Sequence, residues 1–240
     1  MNTPGKLIMI DGIDGSGKTT IVQHWKEYLE SLGKKVFDLK SYWKEHDRHP
    51  TFEEIKDYDV LFSAEMSYTG IGKVLREELI NRANNYPSLA IAEAYALDRL
   101  IIYTKLLIPF LKLGKLVISD RGVSTSLAYQ SSMSPELTFQ VLAGIPGNAL
   151  ALHYAPDHLV IVKINPEIAL ARLGGRSDKN DAAIFEKLET LQKIITIFDS
   201  QEYRDFFTER GTQMNELSGE GSLTEVQERS IDCLKKLLGR

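Results

Sequence analysis

The chain of 240 residues holds a single cysteine, Cys233. No internal disulfide can form, which excludes the small secreted scaffolds that use bridges in place of a core. Long apolar runs are also missing. Leu7–Ile10 is too short for the apolar part of a signal peptide and far too short to span a bilayer. Leu106–Leu116 is broken by Pro109, Lys112, Gly114 and Lys115. Basic charge is not in excess: 29 Lys and Arg stand against 33 Asp and Glu, a formal net charge of −4. That argues against a nucleic-acid or anionic membrane partner. The five histidines (His24, His46, His49, His153 and His158) form no evident triad with a serine or with the cysteine, and they read as surface or packing residues. No internal repeat or low-complexity stretch is present. These absences leave a soluble cytoplasmic protein with 43% apolar residues, enough for one large core.

Two periods alternate along the chain. Short β-branched runs at Leu7–Ile10, Val36–Leu39, Leu116–Ser119, Leu159–Ile164 and Thr212–Leu217 read as strands. Helical stretches lie between them. The first runs to about Leu32 on Ile21, Val22, Trp25, Tyr28, Leu29 and Leu32, and Gly33 ends it. Others are Ile71–Asn84, Leu89–Leu113, Ser134–Gly144, a helix opening at Pro166, Ala183–Phe207 and Leu223–Leu238. The pattern predicts an α/β fold of three layers, with a five-stranded parallel sheet covered by helices on both faces. Ser41–Thr69 has no clear period and reads as an insertion within a single domain spanning 1–240.

The chemistry starts at Gly12-Ile-Asp14-Gly15-Ser16-Gly17-Lys18-Thr19, directly after the first strand and opening the first helix. Gly-x4-Gly-Lys-Thr in that context is a phosphate-binding P-loop. Phosphates need several donors aimed at one point, and the N–H groups of residues 15–19, at a helix N-terminus, can supply them. Lys18 brings a cation to the β- and γ-phosphates of ATP, and the Thr19 hydroxyl suits Mg²⁺. Thr20 extends the same turn. A carboxylate inside such a loop repels phosphate, so Asp14 points to a hydroxyl or Mg²⁺ nearby, or outward to solvent.

A P-loop does not name the reaction. No guanine-reading Asn-Lys-x-Asp is present. Val123 stands where a switch element after the strand Leu116–Ser119 would carry glycine, and no Leu-Ser-Gly-Gly-Gln marks a transporter ATPase. Directly after that strand stands Asp120-Arg121.

These residues resemble the thymidylate kinase family. Asp11–Thr20 is similar to its P-loop, and Ser119-Asp120-Arg121 with Ser126-Leu-Ala-Tyr129-Gln130 to its Asp-Arg and Ala-Tyr-Gln signatures. Tyr95-Ala-Leu-Asp98-Arg99 resembles its base-binding helix, and Pro156-Asp157 its strand entry before the lid. Gly70-Ile-Gly-Lys-Val-Leu-Arg76 is similar to the helix that the family places after its acceptor-phosphate segment. The resemblance covers roughly residues 6–210. It implies transfer of the γ-phosphate of ATP, with Mg²⁺, to a deoxynucleoside monophosphate, foremost dTMP, and a homodimer. Two other readings remain: a kinase of a different acceptor, and a P-loop protein that binds nucleotide without catalysis.

The resemblance also implies roles. Asp14 faces the acceptor sugar and the metal, Asp120 lies by Mg²⁺, and Arg121 clamps the acceptor phosphate or the transferring group. Arg99 hydrogen-bonds the base and Tyr95 stacks on it; four residues apart, they share a helix face. Ser126 lies near the base, and Tyr129 under the sugar. The plain alternatives are a strand-end ion pair for Asp120 and Arg121, core packing for Tyr95, and an ion pair of Arg99 with Asp98 or Glu93. Tyr129 and Ser126 can equally be ordinary helix residues. Some relatives keep a catalytic arginine at the position of Gly15, others in the lid. Gly15 therefore turns attention to Arg172 and Arg176, flanking Gly174-Gly175 in a lid at about 174–183; a solvated helix end is the alternative. Two departures concern the acceptor side. Gly122 replaces an aromatic residue, and Ala64 stands where many bacterial members carry an acceptor-phosphate arginine. Lys40, Lys44 and Arg48 are the candidates to replace that charge.

Overall fold

The computed structural model describes residues 5–81, 84–174 and 188–239. β1 (Lys6–Asp11) leads through the phosphate loop into α1 (Lys18–Ser31). β2 (Val36–Asp38), α2 (Leu39–His46), α3 (Phe52–Ile55) and β3 (Val60–Ala64) follow. α4 (Gly70–Val74) continues as a π-helical turn, Leu75–Leu79. α5 (Ser88–Ile102) widens into a π turn, Tyr103–Leu107, before α6 (Ile108–Lys112). β4 (Leu116–Asp120) precedes α7 (Val123–Thr125) and a third π turn, Ser126–Gln130. Then come α8 (Phe139–Gly144), α9 (Pro146–His153), β5 (His158–Lys163) and α10 (Pro166–Gly174). α11 (Leu188–Asp199), α12 (Gln201–Thr208), β6 (Gln213–Ser218) and α13 (Leu223–Leu237) complete the order.

All the strands pair in parallel, in the order β2-β3-β4-β1-β5-β6. Alternate residues of each strand enter opposite layers. Ile8, Ile10, Phe62, Ile118, Val160 and Val162 pack on Ile21, Trp25 and Leu29 of α1 and on Val226 and Leu234 of α13. Leu7, Met9, Leu61, Val117, Leu159 and Ile161 pack on the other face against α5, α11 and α12. Trp25 is fully buried and gives its indole N–H to the Ser230 carbonyl at 2.7 Å, so its burial leaves no unmet donor.

The sheet therefore has six strands where the periodicity predicts five. The additional one is β3, inside the stretch 41–69. Its apolar signal is only Val60-Leu61-Phe62, flanked by Asp57 and Asp59 before it and by Ser63 after it. Yet all five of its residues are buried, because it lies between β2 and β4. The long predicted helices are also broken. Pro109 cannot donate to the preceding turn, and the chain widens over Tyr103–Leu107 just before it. Ser200 interrupts Ala183–Phe207 by capping α12, its Oγ accepting from the Tyr203 N–H at 3.2 Å. Thr138 starts α8 in the same way, so the helix expected from Ser134 begins at Phe139. Among the described residues no helix is long and apolar enough to cross a membrane.

β1 is central and the connections leave it in both directions, so the C-terminal ends of β1 and β4 flank the crevice where open α/β sheets hold ligands. The register fixes the residues that meet there: Asp120 lies level with Ile10 on one side and Ala64 on the other.

Candidate active site

The phosphate loop turns on glycines. Gly12, Gly15 and Gly17 have φ of 140°, 81° and 94°, values that side chains on Cβ rarely allow. At Gly15 space decides as well: a Cβ would lie 2.3 Å from the Ala169 carbonyl oxygen of α10. No side chain caps α1, so its first N–H groups are directed at whatever anion the loop holds. Lys18 is buried, and its amine donates to the carbonyls of Gly12 (2.9 Å) and Ile13 (2.7 Å) and to Ser16 Oγ (3.3 Å). Burial lowers its pKa to about 8, and the Arg121 charge adds to that against Asp14, Asp120 and Asp11.

Across the crevice, Arg121 adopts a left-handed backbone, φ 74°, strain on the order of 1–3 kcal/mol for a residue with a side chain. Two bonds hold it: its N–H to the Ile10 carbonyl (2.9 Å) and Ser119 Oγ to its own carbonyl (2.7 Å). The guanidinium pairs with Asp14 and lies 3.4 Å from Asp11, with its Cζ 5.2 Å from the centre of the Tyr129 ring. Asp11 is itself fixed, accepting from the Ser124 and Thr125 hydroxyls and the Gly12 N–H. Asp120 Oδ1 is buried and finds no hydrogen-bond partner among the described residues. Gly122 has a packing reason: a Cβ there would lie 2.3 Å from Met9 Cε and 2.6 Å from Met9 Sδ. A side chain at position 122 therefore requires the Met9 side chain to move aside.

Arg99 is also buried. Its Nε and Nη2 donate to Glu65 Oε2 at 2.8 and 2.5 Å. Nη2 also reaches the Gly122 carbonyl (3.1 Å) and Ser126 Oγ (2.9 Å), and Nη1 donates to Asn148 Oδ1. Asn148, fully buried on α9, is anchored in turn by its amide donating to the Leu142 carbonyl at 2.8 Å. Of the five guanidinium N–H groups, one on Nη1 is left over. Neither Asp98 nor Glu93 is the partner: Asp98 accepts from the Ser67 N–H (2.8 Å) and hydroxyl (2.6 Å). Burial pushes the Glu65 pKa up, with Arg99 opposing.

One cavity of about 730 Å³ joins these groups. Of the residues singled out from sequence, Asp14, Gly15, Gly17, Lys18, Thr19, Thr20, Tyr95, Arg99, Asp120, Arg121, Ser126 and Tyr129 line it. Gly12 and Ser16 stand behind the loop and bind the Lys18 amine. Arg172 lies on the other side of the loop: Nη1 is 3.8 Å from where a Gly17 Cβ would be and donates to the Gly219 carbonyl at 3.0 Å. Arg176 and most of the expected lid, residues 175–183, lie outside the described residues. Sequence reasoning missed Glu65, Asn148, Tyr68 and Arg76 as site residues. Glu65 and Asn148 are 34 and 49 residues from Arg99, so no local spacing signals them. Arg76 carried a trace, in the likeness of Gly70–Arg76 to a family helix.

A phosphate loop and a second polar wall across one crevice, on a parallel sheet with β1 at its centre, define a P-loop protein with room for a second substrate beside the phosphate loop. Similarity to known proteins narrows this. The family model for thymidylate kinase matches residues 51–234. A thymidylate kinase of Desulfotalea psychrophila is 31% identical over 201 residues, 83% of each chain. A probable thymidylate kinase of Thermococcus onnurineus is 31% identical over 78% of each, and one of Pyrococcus abyssi is 27% identical over 98% of each. The chain belongs to the thymidylate kinase family.

Proposed function

We propose that the protein transfers the γ-phosphate of ATP to dTMP, giving dTDP. One observation carries the reading: the phosphate loop and Arg99 line the same cavity. Arg99 can only donate hydrogen bonds, so the base atom it meets must be an acceptor. Thymine presents a carbonyl where cytosine presents an amine. In this reading Tyr95 stacks on the base, Ser126 holds Arg99 beside it, and Tyr129 packs where a ribose 2′-hydroxyl would lie. An acceptor panel with ATP tests it: the rate on dTMP should exceed those on dCMP, dGMP and thymidine, and equal rates refute the assignment.

No protein nucleophile is needed. The acceptor phosphate oxygen attacks the γ-phosphorus in line, and positioning and charge neutralisation supply most of the acceleration. The amides of 15–19 and the Lys18 amine hold the donor phosphates. Arg121, oriented by Asp14, stabilises charge on the group in transfer. The donor set also fits Mg²⁺: a hydroxyl on Thr19 and the unpartnered Asp120 Oδ1 face one cavity with Asp14. Mg²⁺ takes few protein ligands and completes its shell with phosphates and water, and it would neutralise phosphate charge there. Arg172 serves the donor side, and Arg176, outside the described residues, is the second candidate for the catalytic arginine. The whole chain acts as one kinase domain with the expected lid and with residues 41–69 on the acceptor side. It works in the cytoplasm on small-molecule nucleotides. The homodimer forms through α5, where Leu89 and Leu97 are 48% and 45% exposed; sedimentation should give twice the 27.1 kDa chain mass.

A further inference from the structure

Three cationic side chains surround the Tyr68 ring on the cavity wall built by α2 and the β3–α4 connection. Arg76 Cζ lies 3.9 Å from the ring centre, Lys44 Nζ 5.2 Å and Lys40 Nζ 5.5 Å. All four residues line the same cavity as the phosphate loop, together with Ala64, whose side chain ends at Cβ. Arg76 is held in place by the Met66 carbonyl (2.6 Å) and the Ser67 carbonyl (3.2 Å). The nearby carboxylates are committed elsewhere. Asp38 takes Lys26 at 3.0 Å, Asp47 takes Lys73 at 3.1 Å, and Glu65 takes Arg99. Among the described residues neither Lys40 nor Lys44 has an acidic partner. Arg48 does: Glu54 accepts from both its terminal nitrogens, at 2.7 and 3.0 Å, and it does not line the cavity.

Like charges gathered on one wall repel one another and raise the free energy of the empty site. An anion brought between them removes that repulsion and makes charge-assisted hydrogen bonds. Lys40 and Lys44 are four residues apart on α2, so both amines leave the same helix face. Tyr68 limits where they can go and keeps them beside Arg76.

We propose that Lys40 and Lys44, with Arg76, form the binding subsite for the phosphate of the acceptor nucleotide. The proposal rests on the reading of the cavity as the acceptor site. The subsite recognises a terminal phosphate monoester; it is separate from the phosphate loop, which has its own amides and its own lysine.

The test is titration calorimetry of dTMP and of thymidine on the whole protein, with the phosphate loop filled by Mg-ADP. Wild type should bind dTMP more tightly than thymidine. The double variant Lys40→Gln, Lys44→Gln should lose at least tenfold in dTMP affinity while thymidine changes less than twofold. Lys40→Arg, Lys44→Arg should keep the preference. An unchanged dTMP preference in the glutamine variant overturns the proposal. If wild type binds neither compound, the acceptor reading fails, and inorganic phosphate on the same Mg-ADP complex decides the subsite. Binding lost in the glutamine variant supports it, and no binding or equal binding to both proteins refutes it.

Discussion

The Glu65–Arg99 pair makes an asymmetric prediction. Both side chains are buried, at 5% and 1% exposure, so removing either leaves the other without its main partner. Deleting one member of a buried pair costs about 3–5 kcal/mol. The two deletions are not equivalent, because arginine cannot shed its charge at any ordinary pH and a carboxylate can take a proton. In Glu65→Ala the guanidinium keeps only Asn148, Ser126 and the Gly122 carbonyl. The full cost of about 3–5 kcal/mol should appear, a fall in Tm of roughly 6–20 °C for a chain of this size. In Arg99→Met, Glu65 can become neutral. Burial already raises its folded pKa above the ordinary carboxylate value, and losing Arg99 raises it further. Such a group stabilises the fold fully below its unfolded pKa, and that contribution is lost as pH rises through the folded pKa. Arg99→Met should therefore cost less than Glu65→Ala at pH 7. It should also regain stability relative to wild type as pH falls from 7 to 5. Urea unfolding of both variants and of the double variant at pH 5, 6 and 7 measures this. Equal, pH-independent losses that add in the double variant would refute the reasoning.

Three further outcomes are expected. The Lys18 pKa near 8 lies below its ordinary 10.5, so the buried charge destabilises the ligand-free protein fully below pH 8, and the penalty fades towards pH 10.5. Urea unfolding should show a gain of about 1–1.5 kcal/mol from pH 7 to 9 that Lys18→Met lacks. Gly15→Ala should cost about 2–4 kcal/mol and raise the KM for ATP, since it adds a left-handed backbone and a clash with the Ala169 carbonyl. An unchanged Tm would contradict that geometry. Asp120→Asn should raise the Mg²⁺ concentration needed for half-maximal transfer at least tenfold with protein stability within about 1 kcal/mol of wild type; an unshifted Mg²⁺ curve would remove Asp120 from the metal site.

The features legible in the sequence are those written in contiguous residues. The phosphate loop encodes its own glycine turns and its own lysine, so Gly12–Thr19 folds as its spacing predicts. Tyr95 and Arg99 share a face because a helix guarantees it. β3 was hidden because its apolar core is three residues long and its burial comes from neighbours on both sides. Glu65 and Asn148 were hidden for a related reason: Arg99 chooses its partners across the fold, and the adjacent Asp98 is taken by Ser67. Gly122 reads in sequence as a lost aromatic residue; in the fold the end of the Met9 side chain takes up the space beside it. The choice among Lys40, Lys44 and Arg48 narrows because α2 carries both lysines to the cavity, while Arg48, beyond its end, is taken by Glu54.

The contact between Gly15 and the Ala169 carbonyl couples the phosphate loop to the helix behind it. An arginine at position 15 needs a gap there, and in this chain the backbone of α10 fills that space. An arginine cannot migrate into the loop by one substitution, because the side chain would displace the helix that carries Arg172. A side chain at position 15 therefore requires a retreat of α10 as well. The composition of the phosphate loop and the position of α10 are thus fixed together.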